Sequence, residues 1–515
     1  RKHELLARKL NNRLEVDGYI YTPLEDMEYF GNPTEIKNLV QMFNNKVYYK
    51  HLERHILVRN RHLYIRGAED DAVQIMDKLK NCSLTGAGNY TSNWSKWSSN
   101  NPTSAIGEEK KELLRNLYSD SQVAIIYGAA GTGKSTLIGY FSRFANVKRR
   151  IYLANTNTAV NNLKTRVGTA GDCDFFTVAK FISSNSIDRE CFLLVVDECS
   201  TISNKDMNKV LQVASFSYLM LVGDVYQIQS IHFGNWFEIA RNFLPPTAHH
   251  ELTTSYRASN ADLQNFWDSV RNLENDILEK MVNFQISAPL DTFSFQKEEE
   301  DEVLLCMQYD GLYGINNTNH ILQENNPNRA YYFGVQRYKE GDPVIFRESE
   351  RYFPVLYNNL KGVIEYIEQD QGYIQFDIKI AQLYDEADFM YQDTLELISS
   401  DRNTSIIRIK VFEAAEGIDE EAEKNRVPFQ VCYAMSVHKA QGLEFDSVKI
   451  ILTNEERITS NIFYTAVTRA KSKLKIYWSK ETEKKVIDQL EGRPTLGKDI
   501  NFLRQAMQEK GLFPS

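Results

Sequence analysis

The sequence predicts an α/β protein built on two parallel sheets, and three patterns in its 515 residues carry that expectation. Short, wholly apolar runs recur with helical segments between them. One run passes through a glycine-rich turn directly into a helix, and another ends in adjacent carboxylates. Strands apolar on both faces belong to sheets covered by helices on each side, and such sheets bind ligands at the carboxyl ends of their strands.

At about 150 residues per domain the length implies three or four units. Residues 1–82 read as a small α+β domain, with a strand and turn over 62–67 and an amphipathic helix over 68–79. A packing role is expected for it, because no GxxG clamp for an RNA backbone is present. Residues 83–105 turn to Ser, Asn, Thr and Gly around Trp94 and Trp97, the composition of a linker tacked down by its tryptophans.

A first parallel-sheet lobe is expected over 106–251, from apolar runs at 123–128, 151–154, 191–196 and 218–222. A second is expected over 252–340 and 431–480, from runs at 303–306, 448–452 and 474–478. Between its halves, residues 341–430 alternate apolar and polar positions at 341–346, 361–366 and 372–377, as strands of a small inserted barrel do. The acidic run Glu298-Glu-Glu-Asp-Glu302 reads as a solvated loop, and 481–515 as terminal helices.

Composition narrows the function. A net charge of −9 argues against a surface that adsorbs polyanions everywhere, so any nucleic acid is gripped by a local groove. Six cysteines lie scattered without a CxxC pair, which indicates neither zinc nor a disulfide framework and fits reduced thiols in the cytoplasm. No apolar run approaches the roughly 20 residues of a membrane span, so no membrane partner is expected. The sequence opens on Arg1, and the natural N-terminus is expected to lie upstream of it.

The chemistry begins at Val123-Ala-Ile-Ile-Tyr-Gly-Ala-Ala-Gly-Thr-Gly-Lys-Ser-Thr136, an apolar strand running into GxxxxGKS and a helix that starts near Ser135. Gly128, Gly131 and Gly133 allow successive N–H groups to turn toward a polyphosphate, with Thr132 and Thr136 lining the same turn. Lys134 supplies a point charge for the β- and γ-phosphates, and the Ser135 hydroxyl is placed to ligate Mg²⁺. Asp197 and Glu198 end the strand Val195-Val-Asp-Glu198. Asp197 suits a water-mediated hold on Mg²⁺, and Glu198 suits orienting and deprotonating the attacking water. An Asp-Glu pair alone is a common way to solvate a strand end, but a phosphate loop upstream favours the catalytic reading. Gln227, in Leu221-Val-Gly-Asp-Val-Tyr-Gln227, is suited to sense a γ-phosphate. Arg257 and Arg469 are each suited to neutralise charge on the transferred phosphoryl group, although either one alone reads more readily as a surface ion-pair former than as a finger.

Seven motifs in order identify a resemblance: GAAGTGKST, NTNTAVNNL at 155–163, VVDECS at 195–200, LVGDVYQ at 221–227, TTSYR at 253–257, SVHKAQGLEFD at 436–446 and YTAVTRAK at 464–471. The chain resembles a superfamily 1 nucleic-acid helicase of the RecD-like branch with a UvrD-type C-terminal lobe, over about 120–275 and 300–480. The resemblance implies two RecA-like lobes, the second interrupted by an SH3-like barrel at 341–430, with Mg²⁺ and ATP between the lobes. It implies an ATPase site of Lys134, Ser135, Asp197, Glu198, Gln227, Arg257 and Arg469. Tyr256 would stack on adenine, and Gly442 with Glu444 would approach the nucleotide sugar. Thr156, Asn157, Thr177, Ser436 and His438 fall where the family contacts the backbone of a single strand, although short polar side chains at such places also serve as helix caps.

The implied activity is ATP-driven 5′ to 3′ movement along single-stranded nucleic acid, DNA favoured over RNA. The alternative is a nucleic-acid-gated ATPase switch serving a nuclease or antiviral-defence partner without processive unwinding. Two departures stand out. The family's adenine-reading glutamine is absent from Ile106-Gly-Glu-Glu-Lys-Lys-Glu-Leu113, and 167–176 leaves little room for a duplex-splitting pin.

Overall fold

A computed structural model describes residues 1–513 apart from 87, 102–105, 146–147, 231, 255–260, 294, 348–350, 353–354, 391–393, 414–424, 455–457 and 491–495. The chain divides into two units, residues 1–256 with 492–515 and residues 257–491.

The first unit opens with α1 (Lys2–Asn12), β1 (Thr22–Pro23), α2 (Pro33–Asn44), β2 (Ile56–Arg59), β3 (His62–Ile65) and α3 (Arg66–Ser83). Helix α2 starts at a capping box. Asn32 accepts from the amides of Thr34 and Glu35 while the Glu35 carboxylate takes the Asn32 N–H at 2.8 Å. Asn60 and Arg61 both adopt positive φ, 42° and 63°, which closes the β2–β3 hairpin with the twist that antiparallel strands require. Leu6, Leu10, Met27, Ile36, Ile56 and Leu63 form a small core of their own. Helix α3 instead joins the core of the neighbouring parallel sheet through Ala72, Val73, Ile75, Met76 and Leu79. Burying a side chain such as Ile75 or Leu79 contributes about 1.5–3 kcal/mol, so the first 82 residues are firmly tied to that sheet.

The stretch expected as a Ser/Asn-rich linker, 83–105, carries helix α4 (Tyr90–Asn100). Tyr90 and Trp94 are only 5% and 4% exposed, and Trp94 stacks edge-on against Phe144 with ring centroids 5.1 Å apart. Three aromatics at i, i+4 and i+7 suffice to seat a helix whose other residues are polar.

After α5 (Glu108–Asn116) come β4 (Val123–Gly128), α6 (Lys134–Phe144), β5 (Arg150–Ala154), α7 (Asn157–Val167), β6 (Cys173–Thr177), α8 (Val178–Ser183), β7 (Glu190–Val196), α9 (Asn204–Val213), β8 (Ser215–Gly223), α10 (Trp236–Ile239) and β9 (His249–Leu252). The six strands are parallel, in the order β6-β5-β7-β8-β4-β9. Alternation along β4 sends Val123, Ile125 and Tyr127 to the face covered by α3, and Ala124 and Ile126 to the face shared with Leu114 and Phe141. The expected two-sided burial is therefore met residue by residue.

The second unit contains α11 (Ala261–Asn272), α12 (Ile277–Asn283), β10 (Ser287–Pro289), β11 (Glu302–Cys306), α13 (Ile315–Glu324) and the hairpin β12 (Ala330–Phe333)–β13 (Gln336–Lys339). An antiparallel sheet follows: β14 (Pro343–Phe346), β15 (Lys361–Asp370), β16 (Tyr373–Ile380), β17 (Leu395–Asp401), β18 (Thr404–Phe412) and β19 (Phe429–Val431), in the order β17-β18-β16-β15-β14-β19. Its core includes Ile364 and Phe376, at alternate positions the sequence marked, and Ile378, Ile407 and Ile409, beyond the marked segments. The chain then returns as β20 (Ala434–Ser436), β21 (Phe445–Ile451), α14 (Ser460–Val467), β22 (Ala470–Trp478) and α15 (Lys480–Leu490). These strands complete a parallel sheet ordered β10-β22-β21-β11-β20, so the antiparallel sheet is an insertion between β11 and β20.

The acidic run at 298–302 is largely the exposed turn expected, but it is also paired, and Glu302 is buried where β11 begins. Lys449 lies 2.9 Å from Glu298 and 3.2 Å from Glu302, Lys361 lies 2.9 Å from Asp301, and Ser447 Oγ donates to Glu302 at 2.8 Å. These partners come from β21 and β15. The carboxylates fasten the edge of the sheet to strands far away in sequence.

The last helix, α16 (Gly497–Glu509), belongs to the first unit. Its Asp499 accepts from the amides of Ile20 at 2.8 Å and Tyr21 at 3.3 Å. Among the described residues no helix is long and apolar enough to cross a membrane.

Candidate nucleotide and nucleic-acid site

Because every strand of the first sheet is parallel, all six carboxyl ends meet at one edge, and each delivers a segment the sequence singled out. The phosphate loop follows β4, Thr156 and Asn157 follow β5, and Thr177 ends β6. Asp197 and Glu198 follow β7, Gln227 follows β8, and the TTSYR segment follows β9.

The loop has the geometry the glycines predict. Gly131 and Gly133 take φ of 82° and 77°, and the helix begins at Lys134, one residue earlier than expected. A Cβ on Gly128 would stand 2.6 Å from Thr132 Oγ1, so only glycine fits there. Lys134 Nζ donates to the carbonyls of Gly128 at 2.7 Å and Ala129 at 2.9 Å, which holds the ammonium over the loop. Thr132 Oγ1 ties the turn together by donating to Ala129 O at 2.9 Å.

Two side chains that sequence reasoning passed over also reach this loop. A Cβ on Gly133 would meet Lys110 Nζ at 2.9 Å, which places a second ammonium against the turn. Burial lowers the pKa of Lys110, opposed by the neighbouring Glu109. Arg166, near the end of α7, donates through Nη1 to Ser135 Oγ at 2.9 Å. The segment lacking a glutamine thus contributes a lysine, and the only signal in the sequence was a pair of lysines shortly before the loop.

At the end of β7, burial pushes the Asp197 carboxyl up, against the Glu198 amide and the charges of Lys134 and Arg166, which pull it down. The Glu198 amide donates to Asp197 Oδ1 at 2.8 Å. Glu198 itself has φ of 53°, uncommon for a residue with a Cβ, and its carbonyl accepts from Thr201 N at 2.9 Å and Thr201 Oγ1 at 2.8 Å. Strained angles of this kind concentrate at functional sites. Gln227 Nε2 donates to Asp224 at 3.3 Å, and Asp224, 3% exposed, organises the turn by accepting from Tyr226 N at 3.0 Å.

The residues expected at a nucleic-acid strand behave first as caps. Thr156 Oγ1 accepts from Ala159 N at 3.2 Å and Thr177 Oγ1 from Lys180 N at 3.3 Å, each at the start of a helix. Asn157 is the first residue of α7. A hydroxyl that accepts keeps its own O–H to donate, so capping leaves a donor for a phosphate oxygen. In the second unit, Ser436 Oγ accepts from Lys439 N at 3.3 Å, and His438 is exposed.

That unit separates its candidates. Ser436 pairs with Cys306 at the carboxyl end of β11, whereas Ser447 of β21 pairs with Glu302 at its start. Gly442 and Glu444 precede β21, and Arg469 precedes β22, so these three stand at the opposite edge from Ser436. Gly442 has φ of 75°. Arg469 is 5% exposed and donates to Thr465 O at 2.9 Å, Leu443 O at 3.1 Å and Thr468 Oγ1 at 3.2 Å. Tyr256 and Arg257 lie outside the described residues.

A divalent ion fits the donor set of the first unit. Among the described residues no three His, Cys, Asp or Glu side chains could hold a metal by themselves. A hydroxyl at Ser135 and one carboxylate at Asp197 are the sparse, hard oxygen donors that Mg²⁺ takes when phosphate and water complete its shell.

Comparison with known proteins finds two domain families along the chain. The AAA domain family matches residues 105–283, and the UvrD-like helicase C-terminal domain matches 431–477. The RecBCD enzyme subunit RecD of Buchnera aphidicola (subsp. Schizaphis graminum) is 27% identical over 193 residues, 36% of this chain and 26% of that protein, so the chain spans about a quarter of that relative's length. Among solved structures, the Pif1 helicase from Bacteroides in complex with ADP-AlF3 and ssDNA shares 15% identity at a TM-score of 0.48, over 79% of this chain and 98% of the other. The Pif1 helicase from Candida albicans shares 16% at 0.48, over 78% and 99%. Two domain families are thus matched in order along the chain, an AAA domain and a UvrD-like helicase C-terminal domain, beside a partial likeness to RecD.

Proposed function

We propose that the chain is an ATP-dependent translocase or helicase that moves 5′ to 3′ along single-stranded DNA in the cytoplasm. The observation that carries this reading is the gathering of the phosphate loop, Asp197, Glu198 and Gln227 at one edge of a single parallel sheet, next to strand ends bearing Thr156, Asn157 and Thr177. The likeness to RecD, a subunit of the RecBCD enzyme, supports DNA over RNA and is compatible with a nuclease partner.

In this reading Gly128, Gly131, Thr132, Gly133 and Thr136 shape the cradle, and the first amides of α6 with Lys134 Nζ meet the β- and γ-phosphates. Ser135 and Asp197 would hold Mg²⁺, which supplies charge neutralisation to the phosphates when bound. Glu198, aimed by its left-handed backbone and its amide bond to Asp197, orients and deprotonates the attacking water. Gln227 senses the γ-phosphate. Arg257 and Arg469 act as the second lobe's charge donors, Tyr256 stacks on the base, and Gly442 with Glu444 lies by the sugar. Thr156, Asn157, Thr177, Ser436 and His438 hold the strand by hydroxyl, amide and imidazole hydrogen bonds to phosphates. The domain plan is two RecA-like lobes, the second interrupted by an SH3-like barrel at 341–430, behind an N-terminal α+β domain.

The test is an ATPase titration against single-stranded DNA, single-stranded RNA and duplex, paired with a streptavidin-displacement assay at either end of the strand. The reading expects stimulation strongest with single-stranded DNA and displacement from the 3′ end only. Equal rates with and without nucleic acid would overturn it.

A further inference from the structure

Arg166 has no part in the reading above, yet it touches Ser135, on which that reading depends. Its Nη1 donates to Ser135 Oγ at 2.9 Å, and its positive charge, with that of Lys134, acts on the Asp197 carboxylate. Ser135 and Asp197 are the two side chains assigned to the divalent ion. A guanidinium of this chain and a magnesium ion therefore claim the same Ser135 hydroxyl.

We propose that Arg166 is a nucleotide-binding residue. In this role it gives positive charge to the terminal phosphates of a nucleoside di- or triphosphate when no divalent ion is bound, and it yields Ser135 to the ion when one is. The proposal rests on the phosphate-loop reading. Its geometry comes from two elements that converge. Ser135 is the second residue of α6, directly after the lysine of the loop, and Arg166 is the next-to-last residue of α7, which packs beside α6. A group within hydrogen-bond reach of Ser135 Oγ is one side-chain swing from the end of a polyphosphate in the cradle. Arginine suits the task because its planar fork takes phosphate oxygens two at a time and does not lose its proton. The side chain is exposed, so it can turn between Ser135 and a phosphate without disturbing a core.

Linkage sets the sign. Two cations that compete for one hydroxyl weaken each other there, so Arg166 contributes most to affinity when metal is scarce. The experiment is calorimetric binding of ADP to the full chain, once with excess EDTA and once with saturating magnesium, for the parent, Arg166→Ala, Arg166→Lys and Lys134→Ala. Far-UV circular dichroism and melting confirm that each variant is folded. Arg166→Ala is expected to weaken ADP binding about tenfold in EDTA and less than about twofold in magnesium, the size of one charge-assisted hydrogen bond that forms in the metal-free state alone. Arg166→Lys, which keeps the charge, is expected to fall between.

An equal loss in both buffers, no loss in EDTA, or a parent that binds no ADP in EDTA would each overturn the proposal. Lys134→Ala separates it from its foundation. If that variant binds ADP like the parent in both buffers, the phosphate-loop reading fails. If it loses binding in both while Arg166→Ala shows no difference between buffers, only the role of Arg166 fails.

Discussion

The Glu109 carboxylate receives both the amide and the hydroxyl of Thr253, each at 2.8 Å, and the amide of Thr254 at 3.3 Å. A side chain from the start of α5 thus fixes the first residues of the TTSYR segment as it leaves β9. Burial raises the Glu109 pKa, but the bonds from Thr253 and Thr254 outweigh it and hold the carboxyl below the ordinary glutamate value.

The pH dependence of that clasp follows. A depressed carboxyl stabilises the fold above its ordinary pKa, and the contribution is lost as pH falls through the lowered value. Protection factors at the amides of residues 253 and 254, taken against the intrinsic exchange rate at each pH, should therefore be high at neutral pH and fall once the pH drops through the lowered Glu109 value. Glu109→Gln should lower them about tenfold at neutral pH and remove the pH dependence, since a bond to a charged acceptor is the stronger kind.

Asp499 has the opposite sign. Burial raises its pKa to about 6, against the pull of the Ile20 and Tyr21 amides. The folded chain then takes up a proton that the unfolded chain does not, so stability grows as pH falls from about 6 toward the ordinary aspartate value and is lower above it. The full effect is about 3 kcal/mol at its upper bound. Melting curves between pH 5 and 8 should show this slope in the parent and a flatter one in Asp499→Asn.

Trp94→Ala should destabilise the first unit by about 3–5 kcal/mol, the usual loss for a buried aromatic, as read from denaturant unfolding. A change within about 0.5 kcal/mol would return residues 83–105 to the status of a linker.

How much of this was legible in the sequence depends on how far apart the interacting residues lie. Strands β4, β5, β7 and β8 were plain because each is apolar on both faces within a few residues, and the phosphate loop and the Asp197-Glu198 pair were plain because they are contiguous. Helix α4 was hidden by its serines and asparagines, which outnumber the three aromatics that seat it. The pairing of the acidic run at 298–302 was hidden because its lysines, 361 and 449, come from strands that fold back onto it from a distance. Arg166 and Lys110 carried no motif. Only the packing of α5 and α7 beside α6 brings them to the loop.

Arg469 spans the start of β21 and the end of α14, donating to Leu443 O and Thr465 O. Lysine cannot reproduce that fork. If Arg469 also neutralises charge in phosphoryl transfer, Arg469→Lys should lower kcat by about 10³-fold with ATP affinity changed only a few-fold. A fall in melting temperature with kcat preserved would make it a purely structural clamp of the second sheet.

The most direct measurement is single-strand-stimulated ATP hydrolysis by Lys134→Ala beside the parent chain. A cradle that works through the ammonium over Gly128 and Ala129 should lose the stimulated rate by about 10²-fold or more while the variant stays folded. Hydrolysis that persists at the parent rate in a folded variant would contradict the assignment of this loop as the phosphate site.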